Sequence, residues 1–449
     1  MNFKSQSTIL LSAFAGLVSA QSKPNIVLFL VDDLGWMDVG YRNKEFYTPN
    51  IDQLKKDGME FTRAYICTPT SSPSRASLLT GKEAIRLEMP RHITEDGESE
   101  VNKYNYWATD PARMPSINFL PLEEVTYAER LRELGYYNMF IGKWHLGGCS
   151  YFPELQGFDA QCGVNLSGVA GNYYYPFFRN DTVLSNAPNG SYLTDVLTDK
   201  AVDFIRKYDK RKPFSLSVWH YAPHSPHIGR KDLLDRYRAK GWTAKYTEYG
   251  AMVTAMDESL GRIRKSLKEK GIDKNTIILF LSDQGGYFSN YPLRGGKLGG
   301  QTLCEGGARV PFIVYYPGIT KANTTSDVPV QNIDIFPSLV EIASGESFND
   351  TRVQGKSFVP VLKGKTIAPR NLYFFRSYED QFTAVLQGNW KLIKYHSGIL
   401  ELYNIHKDAG EVNNLVFHNP EIAQKLSLQL KQWEIEAIPV TLKNTKDVK

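Results

Sequence analysis

The stretch NIVLFLVDD, Asn25–Asp33, runs through six apolar residues, Ile26–Val31, and stops at two adjacent carboxylates, Asp32 and Asp33. A strand with no polar alternation is covered on both faces, as in a parallel sheet inside an α/β domain. Three further apolar runs stop at reactive side chains in the same way. NMFIGKWHLG ends at Lys143 and His145, FSLSVWHYAPHSPH at His220, His224 and His227, and TIILFLSDQGG at Asp283 and Gln284. Helical patterns lie between them, TYAERLRELG and TEYGAMVTAMDESLGRIRKSLKEKG. The alternation predicts a large, mostly parallel sheet sandwiched by helices. In open sheets of this kind a site forms outside the carboxyl ends of the strands. Asp32, Asp33, Lys143, His145, His224, Asp283 and Gln284 would then share one rim. Any one of these has a bland explanation, since a strand-terminal Asp often caps a helix and a lone Lys or His is often solvated. Their common position is what argues for a site.

The residue types point to a chemistry. Three carboxylates and an amide oxygen are hard ligands that suit Ca²⁺ or Mg²⁺, and no His or Cys pair has zinc spacing. Lys143, Lys297, Arg75 and the histidines would face an anion held beside the metal. A metal, a cationic shell and a nearby hydroxyl suit hydrolysis of a sulfate or phosphate ester.

Bulk properties set the frame. The chain has 449 residues, 42% hydrophobic and 22% charged, as expected of an ordinary globular protein with a sizeable core. Residues 1–20 read as a signal peptide: Lys4, the apolar run ILLSAFAGLV, and VSA before Gln21. That run is too short to span a bilayer, and a periplasmic or secreted protein is expected. Removing Lys4 takes the formal charge from +5 to +4, too mild to imply nucleic acid. Of the four cysteines, Cys149 and Cys162 are the favoured pair for a bridge in an oxidising compartment, although spacing alone does not pair them.

The stretch CTPTSSPSRASLLTG, Cys67–Gly81, supplies hydroxyls and an arginine. Ser71, Pro73, Ser74, Arg75, Thr80 and Gly81 resemble the signature of the sulfatase family of the alkaline-phosphatase superfamily. FIGKWHLG, APHSPH, SDQGG with GGK, EGGARVPFIVYYPG and the segment from GNWKLIKY to LELYNIHKDAGEVNNL resemble later family segments in family order. The resemblance implies an alkaline-phosphatase-like fold with a smaller C-terminal α+β subdomain containing an antiparallel sheet. It implies that Ser71 is oxidised to formylglycine, whose hydrate attacks sulfur, forms a covalent sulfoenzyme and then releases sulfate. A Ser-type signature implies a radical iron–sulfur maturase as partner, in a bacterium.

Carried over by motif, Asp32, Asp33, Asp283 and Gln284 would bind Ca²⁺ together with the modified Ser71. Gln284 stands where the family usually has Asn. Arg75 would steady the diol, Lys143, His224 and Lys297 would grip the sulfate, and His145 would be the base of the release step. His224 or Lys297 would protonate the leaving alcohol, and His227 is a candidate substrate contact. A sulfated glycan is the expected substrate. A phosphate-ester hydrolase with Ser71 as plain nucleophile, and a glycan-binding protein without catalysis, are the alternatives.

The catalytic domain is expected over 21–365 and the subdomain over 366–449, divided at the basic, proline-containing KGKTIAPRN. Within the latter, FTAVLQGNWKLIKY reads as a hairpin turning at Gly388-Asn389, and PEIAQKLSLQLKQWEIEA as a helix opening on Pro420. The long polar segment Glu88–Pro115 is a candidate substrate-selecting insert. The aromatic run GNYYYPFFRN, Gly171–Asn180, reads equally as a sugar-stacking face or as a wall packed on the core.

Overall fold

The computed structural model describes residues 23–179 and 183–443. The expected signal peptide and Asn180 lie outside the described residues. The main sheet has eight strands: β1 (Asn25–Val31), β2 (Met59–Phe61), β3 (Tyr137–Gly142), β4 (Ala160–Cys162), β5 (Phe214–Trp219), β6 (Thr276–Ser282), β7 (Phe312–Tyr315) and β8 (Thr324–Ser326). Their order across the sheet is β8-β2-β7-β6-β1-β5-β3-β4. β1 lies at the centre, parallel to both β5 and β6, and β3 continues the parallel run from β5 to β4. Only β7 opposes its neighbours.

The apolar runs divide between two cores by simple alternation. Ile26, Leu28 and Leu30 point into one, and Val27, Phe29 and Val31 into the other, all fully buried. The first core contains the helices Ser71–Thr80 (α1), Tyr127–Glu133 (α2) and Ile335–Ser344. The second contains Leu193–Lys207 (α3) and Ala244–Glu269 (α4). Local signals set the helix starts. Thr126 and Glu129 form a reciprocal capping box on α2, and the Thr243 hydroxyl accepts from Tyr246 N at 3.3 Å on α4.

A four-stranded antiparallel sheet follows: β9 (Asn371–Phe375), β10 (Gln381–Gln387), β11 (Trp390–Tyr395) and β12 (Leu400–Asn404). Gly388 turns the hairpin at φ 60°, and Pro420–Ala437 packs on the sheet as a helix opening on proline. A buried ion cluster joins this sheet to the main body. Lys391 Nζ on β11 meets Glu305 Oε1 at 2.9 Å and Glu411 Oε1 at 3.1 Å, and Tyr65 donates to Glu305 Oε2 at 3.0 Å.

One expectation is corrected and one open choice is decided. Cys162 keeps a free thiol on the edge strand β4, while Cys149 sits exposed in a separate short turn, so the Cys149–Cys162 bridge is not formed. The aromatic run is a packed wall: Tyr173, Phe177 and Phe178 are buried in the second core. Tyr173 also donates to the Tyr221 and His224 carbonyls at 2.7 and 2.9 Å, fixing the loop that carries His224.

Lys391→Met removes the cation shared by two buried carboxylates and leaves Glu305 only the longer pair with Arg309 at 3.5 Å. It should lower stability by about 3–5 kcal/mol, read as earlier thermal unfolding. An unchanged unfolding temperature would show that the cluster does not tie the two parts together.

Candidate active site

Because β1, β3, β5 and β6 are parallel, their carboxyl ends open on one edge, and the segments that follow converge there. Asp32 and Asp33 follow β1, Lys143 and His145 follow β3, His224 follows β5, and Asp283 and Gln284 follow β6. Two non-glycine residues there adopt left-handed backbone, Asp33 at φ 71° and His145 at φ 58°. Such strain persists only where its surroundings enforce it. At Asp33 the Tyr249 hydroxyl on α4 donates to its carbonyl at 3.2 Å and to Asp38 Oδ2 at 2.6 Å, while Asp33 N donates to Asp283 Oδ1 at 3.2 Å. Gly142 ends β3 at φ 107°, where an added Cβ would lie 2.1 Å from the Trp219 carbonyl. No other residue fits that approach.

Ser71 opens α1, a helix in which every residue is buried. The helix is held by Asn332, which accepts from Cys67 N at 3.1 Å and donates to Ser74 O at 2.9 Å, and by Ser72 Oγ accepting from Ile93 N at 3.1 Å. Gly81 stops it in the left-handed conformation, packed so tightly that a Cβ would meet Val353 at 2.7 Å. Ser71 thus reaches a cavity of about 420 Å³ with His145, His224, Gln284 and Lys297 among its lining.

The charges around Ser71 form one network. Lys143 Nζ donates to Asp32 Oδ2 at 2.5 Å and to Ser71 Oγ at 3.3 Å. Arg75 donates to the Lys143 carbonyl at 2.8 Å and to Asp283 Oδ2 at 2.9 Å. Gln284 Nε2 reaches Asp33 Oδ1 at 2.7 Å and Ser71 Oγ at 3.4 Å, and Lys297 Nζ donates to Asp33 Oδ2. Burial alone would raise the Asp32 pKa, but Lys143, His224, Arg75 and Lys297 hold it well below the usual carboxylate range. Burial and the negative charge of Asp32 push Asp283 up. Burial lowers Lys143, whereas for Lys297 burial is overcome by Asp33 and Asp32, which raise it. Burial also lowers His145 and His224, and the nearby carboxylates oppose this at His224.

The donor set fits a hard cation. Ligand atoms of Asp32, Asp33 and His224 lie within 4.8 Å of one another, and Asp32 Oδ1 is buried with no hydrogen-bond partner. The Asp283 carboxylate is turned to Arg75 and stands outside that grouping. His227 does not line the cavity. Its ring lies among Tyr249, Tyr287 and Phe288, with centroids 4.7–5.6 Å away, and both nitrogens lack partners. Burial lowers its pKa to about 4.

Sequence reasoning missed part of the lining. His92 comes from the insert Glu88–Pro115, and Arg376, Tyr378 and Glu379 from the loop between β9 and β10. Tyr378 OH lies 3.2 Å from Thr70 Oγ1, beside Ser71. No strand-end pattern marks these residues. The only available signal was the length and polarity of the insert.

Residues 24–345 match the family described as Sulfatase, and residues 300–436 match that described as N-sulphoglucosamine sulphohydrolase, C-terminal. The chain belongs to the sulfatase family. This sulfatase is 31% identical over 410 residues to N-acetylgalactosamine-6-sulfatase of Canis lupus familiaris, covering 85% of this chain and 74% of that protein. It is 30% identical over 516 residues to a sulfatase of Formosa agariphila, covering 93% and 90%. It is also 30% identical to arylsulfatase J of Mus musculus, of which it spans 60%. The crystal structure of Ps i-CgsB is similar at TM-score 0.81 and 27% identity, covering 95% of this chain and 96% of that one. Ps i-CgsB in complex with k-i-k-neocarrahexaose gives 0.80 and 26%, with 95% and 100% covered.

Tyr249→Phe removes the donor shared by the Asp33 carbonyl and the buried Asp38 carboxylate. It should cost about 1–3 kcal/mol of stability, measured by thermal unfolding. An unchanged melting temperature would show that the hydroxyl does not hold the Asp33 backbone in place.

Proposed function

We propose that the protein is a calcium-dependent sulfatase that hydrolyses sulfate esters of a carbohydrate through formylglycine made from Ser71. One observation carries this reading. The Ser71 hydroxyl lies at the buried start of α1, within 3.4 Å of both Lys143 Nζ and Gln284 Nε2, in front of carboxylates and cations from four strand ends.

Asp32 and Asp33, with Asp283, Gln284 and residue 71, would hold Ca²⁺, which would supply positive charge beside the sulfate oxygens. Formylglycine would supply one hydroxyl as nucleophile and a second whose deprotonation frees sulfate. Arg75 fixes the Lys143 backbone and the Asp283 carboxylate, and so orients that group. Lys143 and Lys297 hold positive charge where sulfate oxygens would sit. His145 Nε2 lies 3.0 Å from the Ile93 carbonyl while Nδ1 is buried and unpartnered. With the proton on Nε2, Nδ1 is an open acceptor, which supports His145 as the base of the release step. His224 Nδ1 pairs with the Ser225 carbonyl at 2.6 Å, and Nε2 faces Asp33 Oδ2 at 3.8 Å. Lys297, or His224 in its imidazolium form, delivers the proton to the leaving alcohol.

The carbohydrate follows from the relatives, named N-acetylgalactosamine-6-sulfatase and solved with a neocarrahexaose. A cavity of about 420 Å³ falls at the small end of the range for ligand sites, about 300–1,000 Å³. It suits one sulfated sugar unit. Among the described residues no helix is long and apolar enough to cross a membrane. Export to the periplasm or beyond, and maturation by a radical iron–sulfur enzyme, complete the proposal.

Three outcomes are expected of matured enzyme. Lys297→Ala should lower the turnover of an aryl sulfate by about 100-fold, and wild type should prefer that ester to the matching phosphate. A preference for the phosphate would favour the phosphatase alternative. Added Ca²⁺ should raise the melting temperature of wild type but not of Asp32→Ala. Equal shifts in both proteins would remove Asp32 from the cation site.

A further inference from the structure

A second group of cavity-lining side chains is held together by its own contacts, and its charges are almost all engaged. Arg376 is 3% exposed. Its Nη1 donates to the Pro69 carbonyl at 3.0 Å, its Nη2 pairs with Glu379 Oε2 at 3.2 Å, and its Nε is buried without a partner. The guanidinium lies 3.9 Å from the centre of the Tyr378 ring. His92 meets Tyr378 edge-on at 6.2 Å between centroids and is neutral near pH 7, because burial and then Arg376 lower its pKa to about 4. The one cation of this group, Arg376, is nearly fully buried, and only its buried Nε is left without a partner.

Glu379 is different. Its Oε2 takes both Arg376 Nη2 and, at 3.1 Å, Thr302 Oγ1. Its Oε1 has no hydrogen-bond partner among the described residues, although the side chain is 26% exposed and lines the cavity. The accessible charge on this part of the lining is therefore a carboxylate oxygen with open acceptor capacity. The surrounding rings of Tyr378 and His92 offer apolar faces rather than cations.

We propose that Glu379 is a specificity-determining residue of this cavity, accepting a hydrogen bond from a hydroxyl or amide N–H of the sugar unit that carries the sulfate and excluding a second anionic group from that unit. The inference rests on the sulfatase reading and narrows its substrate class to singly sulfated, otherwise uncharged sugars. A hydroxyl given to a carboxylate makes a charge-assisted bond, whereas a second sulfate placed there meets a like charge. Arg376, 3% exposed and paired through Nη2 with the other carboxylate oxygen, weakens that repulsion without meeting the ligand itself, so the penalty is modest.

The test is competition against hydrolysis of 4-nitrophenyl sulfate by matured enzyme, with N-acetylgalactosamine 6-sulfate and N-acetylgalactosamine 4,6-disulfate as inhibitors. The monosulfate should inhibit at about tenfold lower concentration or better, a modest like-charge penalty. Glu379→Gln keeps the shape and the amide oxygen but removes the charge, and should narrow the gap towards equality. Equal inhibition of wild type by both sugars, no inhibition by either, or a gap that Glu379→Gln leaves intact would overturn the inference while the sulfatase reading stands. The wild-type comparison does not depend on the variant folding. Failure of matured enzyme to hydrolyse 4-nitrophenyl sulfate at all would overturn the sulfatase reading and this inference with it.

Discussion

The structure turns on a buried set of charges at the edge of the sheet: the carboxylates Asp32, Asp33 and Asp283 among Arg75, Lys143 and Lys297. Burying one such charge alone costs several kcal/mol, so each must be placed against partners with good geometry. Parallel strands supply that placement, because β1, β3, β5 and β6 deliver their C-terminal residues to one rim at fixed spacing. The two cores on either side hold the strands in register, and the buried helix α1 brings Ser71 and Arg75 in from the adjoining layer. Left-handed backbone at Asp33 and His145 is the local strain that this convergence imposes.

Much of this arrangement was legible in the sequence, because continuous apolar strands and abrupt polar endings are local signals. Ile26–Val31 and Ile277–Leu281 could be read as fully buried strands, and the residues after them as neighbours. The hairpin at Gly388 and the helix starting at Pro420 were likewise encoded by residues within a few positions of each other. What was not legible depends on long-range packing. Arg376, Tyr378 and Glu379 enter the cavity because the Lys391–Glu305–Glu411 cluster fastens the C-terminal sheet to the main body. Nothing in RSYED itself points to a cavity formed mostly by residues 70–300. The aromatic run Gly171–Asn180 read equally as a ligand face or a packed wall for a related reason. Composition gives ring count, whereas burial of Tyr173, Phe177 and Phe178 is decided by what lies over them.

The surroundings of Ser71 also bear on which chemistry the site performs. A serine acting as a plain phosphoryl acceptor would be served by two metals, the second held by its own set of Asp and His ligands. Here the groups nearest its hydroxyl are an ammonium and a side-chain amide, with further cations behind. On the proposed reading that shell would stabilise negative charge on a bound ester, and it leaves His145 with an open, buried acceptor nitrogen. Such an acceptor has a use in a release step that removes a proton from the nucleophile's own second hydroxyl, which an unmodified serine does not possess.

Sulfatase turnover by this route therefore depends on the chemical state of residue 71. The direct measurement is the mass of the peptide carrying Ser71, taken from active protein made with a Ser-type maturase. Formylglycine at this position gives a peptide lighter by one molecule of hydrogen, or the hydrate of that aldehyde, in the fraction that turns over sulfate esters. An unmodified Ser71 in protein that turns them over repeatedly would contradict that route.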